Sequence, residues 1–416
     1  MAADRSALII GGGLIGCSSA WYLQQLGWKI TLLERDRIGS GASNGNCGFV
    51  CPSHALPLSG PGVIGKTLPH VFQRDAALSI PVRFDPELWK WLLNFSRQCT
   101  HDRMMQAAVA RNALLASSVA LYRELLSEQT IDCDWQDEGL LLVFNQEEAF
   151  RQYERTAELL ERAFSIASTP YEKETVRELE PALRAGLAGG WHFPQDAHVR
   201  PDKLTASLKT AIVRRGGEIG EGVEVVELRT SRKAIEAVET TSGSYSPDLI
   251  VLAAGAETPK FSDAVGCKIP IQPGKGYSFT MRAPEPSPRI PMIFEEHHVA
   301  VTPLHDSFRV GSTMEFTGYD RKLSPRRLAL LRRSAEDHLG AQLPEATEEW
   351  TGWRPMVYDG LPCIGRAPGA ENLIVAAGNG MIGLATAPAT GKLVSELASE
   401  LPTHIESSPY SLTRFQ

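Results

Sequence analysis

An apolar strand that runs straight into a glycine turn and a helix leaves a chain few choices of fold, and this chain opens that way. Leu8-Ile9-Ile10 is followed by Gly11-Gly12-Gly13-Leu14-Ile15-Gly16, then by Cys17 to Leu26, with small residues in the first turn and apolar ones at helical spacing. In Gly11-x-Gly13-x-x-Gly16 the first glycine permits the tight strand-to-helix turn. The second lets backbone approach a pyrophosphate, and the third lets the helix pack on the strand. Gly27 ends the helix. Lys29 to Leu33 reads as a second parallel strand, with Glu34 at its carboxyl end, roughly 20 residues past the glycines, where a carboxylate accepts from ribose hydroxyls. A lone GxGxxG is equally a ligand-free turn, but strand, helix, second strand and acidic residue together outweigh that reading. Glu34 would repel a 2'-phosphate, so the unit points to FAD or NAD and away from NADP.

At 416 residues the chain exceeds one typical domain, and two are expected. Its net charge of -7 provides no basic field for nucleic acid, and no Lys/Arg cluster marks an anionic membrane surface. No apolar run approaches a transmembrane span, and the glycine turn begins within the first dozen residues, leaving no room for a signal peptide. A reducing cytoplasm is therefore the expected compartment. The seven cysteines (Cys17, Cys47, Cys51, Cys99, Cys133, Cys267 and Cys363) are scattered without a CxxC pair, so neither a disulfide framework nor a metal is assigned. Cys47 and Cys51 read as small buried residues near the cofactor.

After Glu34 the small polar stretch Arg35 to Gly48 reads as a loop that runs against the cofactor, and Leu56 to Pro81 as a long irregular connection. Helical patterns follow over Arg103 to Glu128 and Glu147 to Ser165, with a strand-like Gly139 to Phe144 between them. Asp132 and Asp134 read as a solvated acidic turn. A helix over Asp202 to Arg215 and a strand over Val223 to Leu228 return to the dinucleotide-type pattern, and the nearly all-apolar Leu249 to Ala256 suits a central parallel strand. From Ile269 to Thr317, short alternating runs such as Tyr277-Ser278-Phe279-Thr280-Met281 predict a largely antiparallel sheet.

Near the C-terminus Leu373 to Ala377 leads into Gly378-Asn379-Gly380-Met381-Ile382-Gly383, a second formal GxGxxG, predicted to open a helix running toward Leu397. No further strand with an acidic residue follows, so a second nucleotide site fails on context. Bare amides at such a turn stabilise nearby negative charge, as develops at the N1/C2 carbonyl region of a reduced flavin. Both ends of the chain then serve one site. The fold class expected is α/β: a discontinuous Rossmann-like domain (1–56, 186–270 and 350–416) that binds FAD, and an α+β substrate domain (57–185 and 271–349) with a mainly antiparallel sheet.

With these parts in place the chain resembles the FAD-dependent amine and D-amino-acid oxidoreductases, the family of glycine oxidase, sarcosine oxidase and D-amino-acid dehydrogenase. The resemblance rests on Ile9 to Gly16, Gly41-Ala42-Ser43-Asn44-Gly45, Gly352-Trp353-Arg354-Pro355-Met356, Asp359 to Gly365 and Ala387-Pro388-Ala389-Thr390-Gly391. Within the family it is most similar to the small, quinone-linked bacterial D-amino-acid dehydrogenases, through Pro61-Gly62-Val63, Phe72-Gln73-Arg74 and Lys275-Gly276-Tyr277-Ser278. The pocket tyrosine of glycine oxidase falls near Ala300, which weakens that assignment. No cysteine lies in Gly352 to Gly360, where sarcosine oxidase attaches its flavin, so the FAD is expected to be non-covalent.

The resemblance implies an enzyme acting on CH-NH or CH-NH2 groups, with an amino-acid substrate and a quinone or other electron acceptor as partners. It implies no nucleic acid and no transmembrane segment, with peripheral contact at the inner face of the cytoplasmic membrane as an option; oligomeric state is left open. It places cofactor contacts at Gly11, Gly13, Leu14, Ile15, Gly16, Glu34, Arg35, Ala42, Ser43, Asn44, Val225, Gly255, Gly378, Gly380, Met381, Ile382 and Gly383. Arg354 resembles the family's carboxylate-binding arginine, whose fork suits bidentate recognition. Tyr277, from the predicted wall, is expected to close the pocket or donate to the carboxylate, and His54 to line the pocket. His298 falls near a flavin-contacting histidine, beside His297. The implied reaction is hydride transfer from the α-carbon of a D-amino acid, including cyclic ones such as D-proline or 4-hydroxy-D-proline, with positioning as the main catalytic device. An oxygen-reducing oxidase and a non-catalytic FAD-binding subunit are the alternatives.

Overall fold

A parallel strand buried on both faces must send alternate residues into two separate cores, and the central sheet does so. The computed structural model describes residues 5–67, 76, 78–81, 83–127 and 130–416. In it β1 (Ser6–Ile10) pairs in parallel with β2 (Lys29–Glu34) on one side and with Leu249–Leu252 on the other. Ala7 and Ile9 join the core beneath α1 (Leu14–Gln25), while Leu8 and Ile10 join the opposite core with Ile250 and Leu252. Glu218–Glu221 extends the sheet beyond β2, Ala370–Ala377 extends it beyond Leu249–Leu252, and Cys363–Ala367 closes that edge in antiparallel fashion. Three distant stretches of chain thus build one six-stranded sheet.

The helix Ala387–Ala398 packs on α1, and Gly391 makes the crossing close: a Cβ there would lie 2.6 Å from the Ser18 carbonyl oxygen. Ser18 and Ser19, buried at the start of α1, are small for the same reason.

Among the described residues most of the remaining strands form a nine-stranded, mainly antiparallel sheet, while Val225–Ser231, Ala234–Thr240 and Gly243–Tyr245 make a separate three-stranded antiparallel sheet and Phe49–Val50 pairs with Ala197–His198. The longest strands of the nine, Ile271–Arg282 and Ala346–Val357, pair along almost their whole length. Sheet membership differs from the expected division at two places. Gly189–Phe193, grouped above with 186–270, pairs with Leu140–Phe144 and Thr169–Glu172 in the large sheet. Residues 350–357, grouped with the C-terminal stretch, belong to the same sheet. Strand partners are chosen by non-local hydrogen bonding, which local pattern does not encode.

The predicted helices lie at His101–Ser127, Glu147–Phe164 and Pro201–Arg214. The apolar run at Leu249 is a shorter strand than expected, since Gly255–Phe261 is already a 3-10 turn. Glu128 and the Phe72-Gln73-Arg74 phrase lie outside the described residues, as does much of the irregular connection. Asp132 and Asp134 both ion-pair with Lys203, at 3.0 Å for Asp132. Among the described residues no helix is long and apolar enough to cross a membrane.

Candidate active site

The glycine turn after β1 is held open by close backbone contacts. Gly11 has φ +107°, and a Cβ on it would lie 2.8 Å from the Ala253 carbonyl carbon of the neighbouring strand. Gly16 is packed against the Gly11 carbonyl and does not reach the cavity wall, so its task is helix-on-strand packing rather than ligand contact. At Gly13 the nearest neighbour of a built Cβ is Ser43 Oγ, at 3.4 Å. The Ser43 hydroxyl accepts from the Leu14 amide at 3.1 Å, which ties the small polar loop to the start of α1. Glu34 accepts from the Gly12 amide at 2.8 Å and from the Asp36 amide at 3.0 Å, so its carboxylate is locked at the strand end. Arg35 beside it ion-pairs with Glu257.

From this turn a continuous cavity of about 1540 Å³ runs to the large sheet. It is larger than the roughly 300–1,000 Å³ of a typical single-ligand pocket. Of the expected cofactor contacts, Gly11, Gly13, Leu14, Ile15, Glu34, Arg35, Ala42, Ser43, Val225, Gly255, Gly378, Gly380, Met381, Ile382 and Gly383 all border it. Asn44 does not. Its amide donates to Glu348 at 2.8 Å and its carbonyl accepts from Arg309 at 2.6 Å, so it anchors the loop from the outside.

The second glycine turn also departs from expectation. Gly380–Ile382 is a single 3-10 turn, and the helix begins only at Ala387. Asn379 bridges the gap: its buried amide donates to Thr386 at 3.1 Å and Thr390 at 3.0 Å, fixing the turn to the first turn of that helix. Residues 378–383 thus border the cavity as a pinned turn rather than as a helix end.

At the far end of the cavity Arg354 projects from Ala346–Val357. Its Nη1 donates to the Thr313 carbonyl at 2.8 Å, and among the described residues no carboxylate lies within ion-pair distance. Burial lowers its pKa, partly offset by the nearby Cys47 thiol. A guanidinium held this way, with only one neutral acceptor, favours an incoming carboxylate. The Thr313 carbonyl is aimed by an unusual backbone: Ser312 (φ +107°) and Thr313 (φ +50°) both adopt left-handed conformations.

Tyr277 is not in this pocket. Residues alternate across a strand, so with Gly276 lying under Arg354 the Tyr277 ring goes to the opposite face. There it is 1% exposed among Phe279, Val299 and Val310, and its hydroxyl donates to Glu315 at 2.6 Å, with Arg327 on the other Glu315 oxygen at 2.8 Å. Burial, then the bond to Glu315, raise its pKa.

His54 does border the cavity, on the 3-10 turn Pro52–Ala55. Two buried groups hold that turn. Asp196 accepts from the Ser53 amide at 3.1 Å and from the Ser53 hydroxyl, while Arg111 donates to the carbonyls of His54, Ala55 and Gly360 at 2.8, 3.0 and 3.0 Å. Burial, then the Arg111 charge, push the His54 pKa down to about 4, so the imidazole is neutral near pH 7. Burial pushes Asp196 up to about 7 against the opposing pull of its Ser53 bonds. Ligand atoms of Cys51, His54 and Asp196 lie within 4.8 Å of one another. Both Asp196 oxygens are already engaged by Ser53, so the cluster reads as a turn anchor. His297 and His298 (φ +48°) both border the cavity, and the ring of His297 also stands edge-on to His338 at 5.6 Å.

These walls fit FAD. A turn that a Cβ would block, a locked acidic residue at the second strand end and a pinned turn of amides lie along one cavity, in dinucleotide order. Cys47 and Cys51 also border it, and all seven cysteines are free thiols. The sequence carried no signal for Arg111, Asn379 or the Ser312-Thr313 bulge, whose roles depend on contacts made across the fold.

Comparison with known proteins agrees. The chain is 31% identical to D-amino acid dehydrogenases of Paramagnetospirillum magneticum and Methylobacterium nodulans, with 98% of each chain covered. Its fold matches the crystal structure of glycine oxidase from Geobacillus kaustophilus with a TM-score of 0.78, at 25% identity over 99% of both chains. L-proline dehydrogenase from P. horikoshii shares the fold with a TM-score of 0.75 at 20% identity, over 99% of this chain and 98% of that one. The profile of the FAD dependent oxidoreductase (DAO) family matches residues 6–397, and the chain belongs to that family.

Proposed function

We propose that this FAD-dependent oxidoreductase is a D-amino-acid dehydrogenase that converts a D-amino acid to an imine, which hydrolyses to a 2-oxo acid. The observation that carries the reading is Arg354, a half-buried guanidinium without a carboxylate partner among the described residues, bordering the same cavity as the glycine turn. Full-length similarity to proteins named D-amino acid dehydrogenase supports it. The flavin, when bound, accepts the hydride and passes the electrons on.

Arg354 grips the α-carboxylate and thereby sets which face of the α-carbon is presented. Thr313 holds the guanidinium at its working angle, and Arg111 and Asp196 hold the turn that carries His54. His54 stays neutral near pH 7 and so does not repel a substrate amine. The amine loses its proton to solvent before reaction, so no dedicated base is required. In this reading 1–56, 186–270 and 350–416 hold the flavin, and 57–185 and 271–349 supply the substrate side, with the strand residues 350–357 forming part of the shared wall. The acceptor is a quinone, reached by peripheral contact at the inner face of the cytoplasmic membrane.

Anaerobic addition of a panel of D-amino acids, cyclic ones included, to the purified yellow protein is expected to bleach the flavin. Bleaching by none of them, nor by N-alkyl glycines, sinks the reading. Admitting air to the bleached protein separates the acceptors: slow reoxidation that a quinone accelerates supports a dehydrogenase, and rapid peroxide formation supports an oxidase.

A further inference from the structure

A second ionisable side chain faces the cavity and has no task in the reading above. Phe294 pairs with Val299, and Val299 pairs on its other side with Ser312. The outer two strands of this trio run parallel to each other, so Glu295, which opens the turn just after Phe294, and Thr313, the residue after Ser312, lie one step beyond the same rung. Two strand spacings place their backbones roughly 10 Å apart. Thr313 is the residue whose carbonyl holds Arg354, so Arg354 and Glu295 flank the same stretch of cavity, and both border it.

The floor beside them is small and apolar. Ile293 pairs with Ala300, Ala300 pairs with Gly311, and Cys47 Sγ would lie 2.8 Å from a Cβ on Gly311. The two acidic neighbours differ sharply. Glu296 is engaged by the Asn145 and Gln146 amides at 2.8 and 3.0 Å. Glu295 is held through its backbone alone: its amide donates to the Val143 carbonyl at 3.0 Å and its carbonyl accepts from the His298 amide at 3.3 Å. Among the described residues its carboxyl has no hydrogen-bond donor and no cation.

We infer that Glu295 selects substrates whose side chain carries a hydrogen-bond donor at the end remote from the α-carboxylate. With the carboxylate on Arg354 and an apolar stem over Ile293 and Ala300, a hydroxyl or ammonium would reach Glu295. Burial, then the neighbouring Glu296, push the Glu295 pKa up to about 7. Either protonation form accepts a hydrogen bond, and the ionised form pairs with a cation. An acceptor left without its donor in a dry pocket is penalised, which is how such a site rejects the apolar analogue.

The inference rests on the proposed D-amino-acid chemistry, and one experiment separates the two. The holoenzyme is assayed by anaerobic flavin bleaching with two matched pairs: D-proline against 4-hydroxy-D-proline, and D-norleucine against D-lysine. The wild type is expected to favour the donor-bearing member of at least one pair by about tenfold or more in kcat/KM. Glu295→Leu should collapse that preference by a similar factor. Glu295→Gln, nearly identical in shape, should keep part of the hydroxyl preference and lose the ammonium preference. The flavin absorbance reports folding of each variant; if Glu295→Leu fails to hold flavin, the wild-type preference and Glu295→Gln decide the matter. Bleaching with the same preference in wild type and variants, or a wild-type preference for the apolar members, overturns this inference alone. No bleaching by any amino acid overturns it together with the proposed function.

Discussion

The guanidinium of Arg354 lies directly over Gly276: a Cβ at Gly276 would sit 2.5 Å from Cζ and 2.7 Å from Nη2. Arg354 is paired with Gly274 and reaches diagonally over Gly276 on the neighbouring strand, and the absence of a side chain there makes room for its charge. Gly276→Ala should therefore displace Arg354 without touching the flavin end. Steady-state kinetics should show KM raised on the order of 10- to 100-fold, since misplacing a positioning group by about 1 Å costs about that much. The flavin content should be unchanged. An alanine variant with wild-type KM would remove this contact from the site.

Substituting the arginine itself tests the carboxylate reading. Arg354→Ala should lower kcat/KM by roughly 10²- to 10³-fold, the effect of losing one partner of a buried charge pair. Arg354→Lys should recover only part, because an ammonium lacks the planar fork. A lysine variant indistinguishable from wild type would argue against bidentate binding.

At the opposite end Glu34 accepts two backbone amides as well as facing the cavity. Glu34→Ala should loosen both the glycine turn and the ribose contact. Fluorescence titration of the apoprotein should show FAD binding weakened at least about tenfold, in line with the ~1.5–3 kcal/mol of a hydrogen bond to a charged group. Unaltered FAD affinity would assign Glu34 a purely local role.

Asp196 makes a pH-dependent contribution whose sign is fixed by its burial. Its pKa rises from 3.8 to about 7 on folding, so the folded chain holds that proton more firmly. The resulting stabilisation is complete below about pH 4 and is lost as pH rises toward 7, by at most about 1.4 kcal/mol per pH unit. The stability of wild type relative to Asp196→Asn, measured by urea unfolding, should therefore fall between pH 4 and 7. His54, lowered to about 4, contributes the opposite slope in both proteins. A difference that grows with pH would contradict the assignment.

Arg111 satisfies three carbonyls at once from within a long helix, and burial pushes its pKa down to about 10. Arg111→Met leaves those acceptors without a donor. Unfolding measurements should show a loss of about 3–5 kcal/mol, and KM should rise because the His54 turn is released. A thermally unaffected variant would mean that water replaces the guanidinium.

The parts legible in the sequence share one property, which is that their physics is local. Gly11, Gly13 and Gly16 lie within six residues, and Glu34 follows one helix later, so the strand, turn, helix and acidic residue could be read in order. Helices at His101–Ser127 and Glu147–Phe164 were readable from their pattern. Tyr277 was misread because membership of a strand does not say which face a residue takes; that depends on which neighbour, here Gly276, lies under Arg354. Asn44 was misread for a similar reason, since its partners Glu348 and Arg309 lie some 300 residues away in sequence. The second glycine turn was readable as a turn, but not the role of Asn379, whose bonds to Thr386 and Thr390 tie it to a helix that begins only at Ala387.

The sequence by itself determined the strand, the glycine turn at Gly11 to Gly16, the helix after it and the carboxylate at Glu34, because turn geometry and strand-end position follow from neighbours a few bonds apart. Tertiary structure alone decided what surrounds the reacting end of the cavity. Among the described residues Arg354 is left with only the Thr313 carbonyl to hold it, the Glu295 carboxyl is left without a partner, and Arg111 is spent on three carbonyls. Each outcome depends on which distant backbone or charge the fold brings within hydrogen-bond reach, and hydrogen bonds and desolvation act only over those few ångströms.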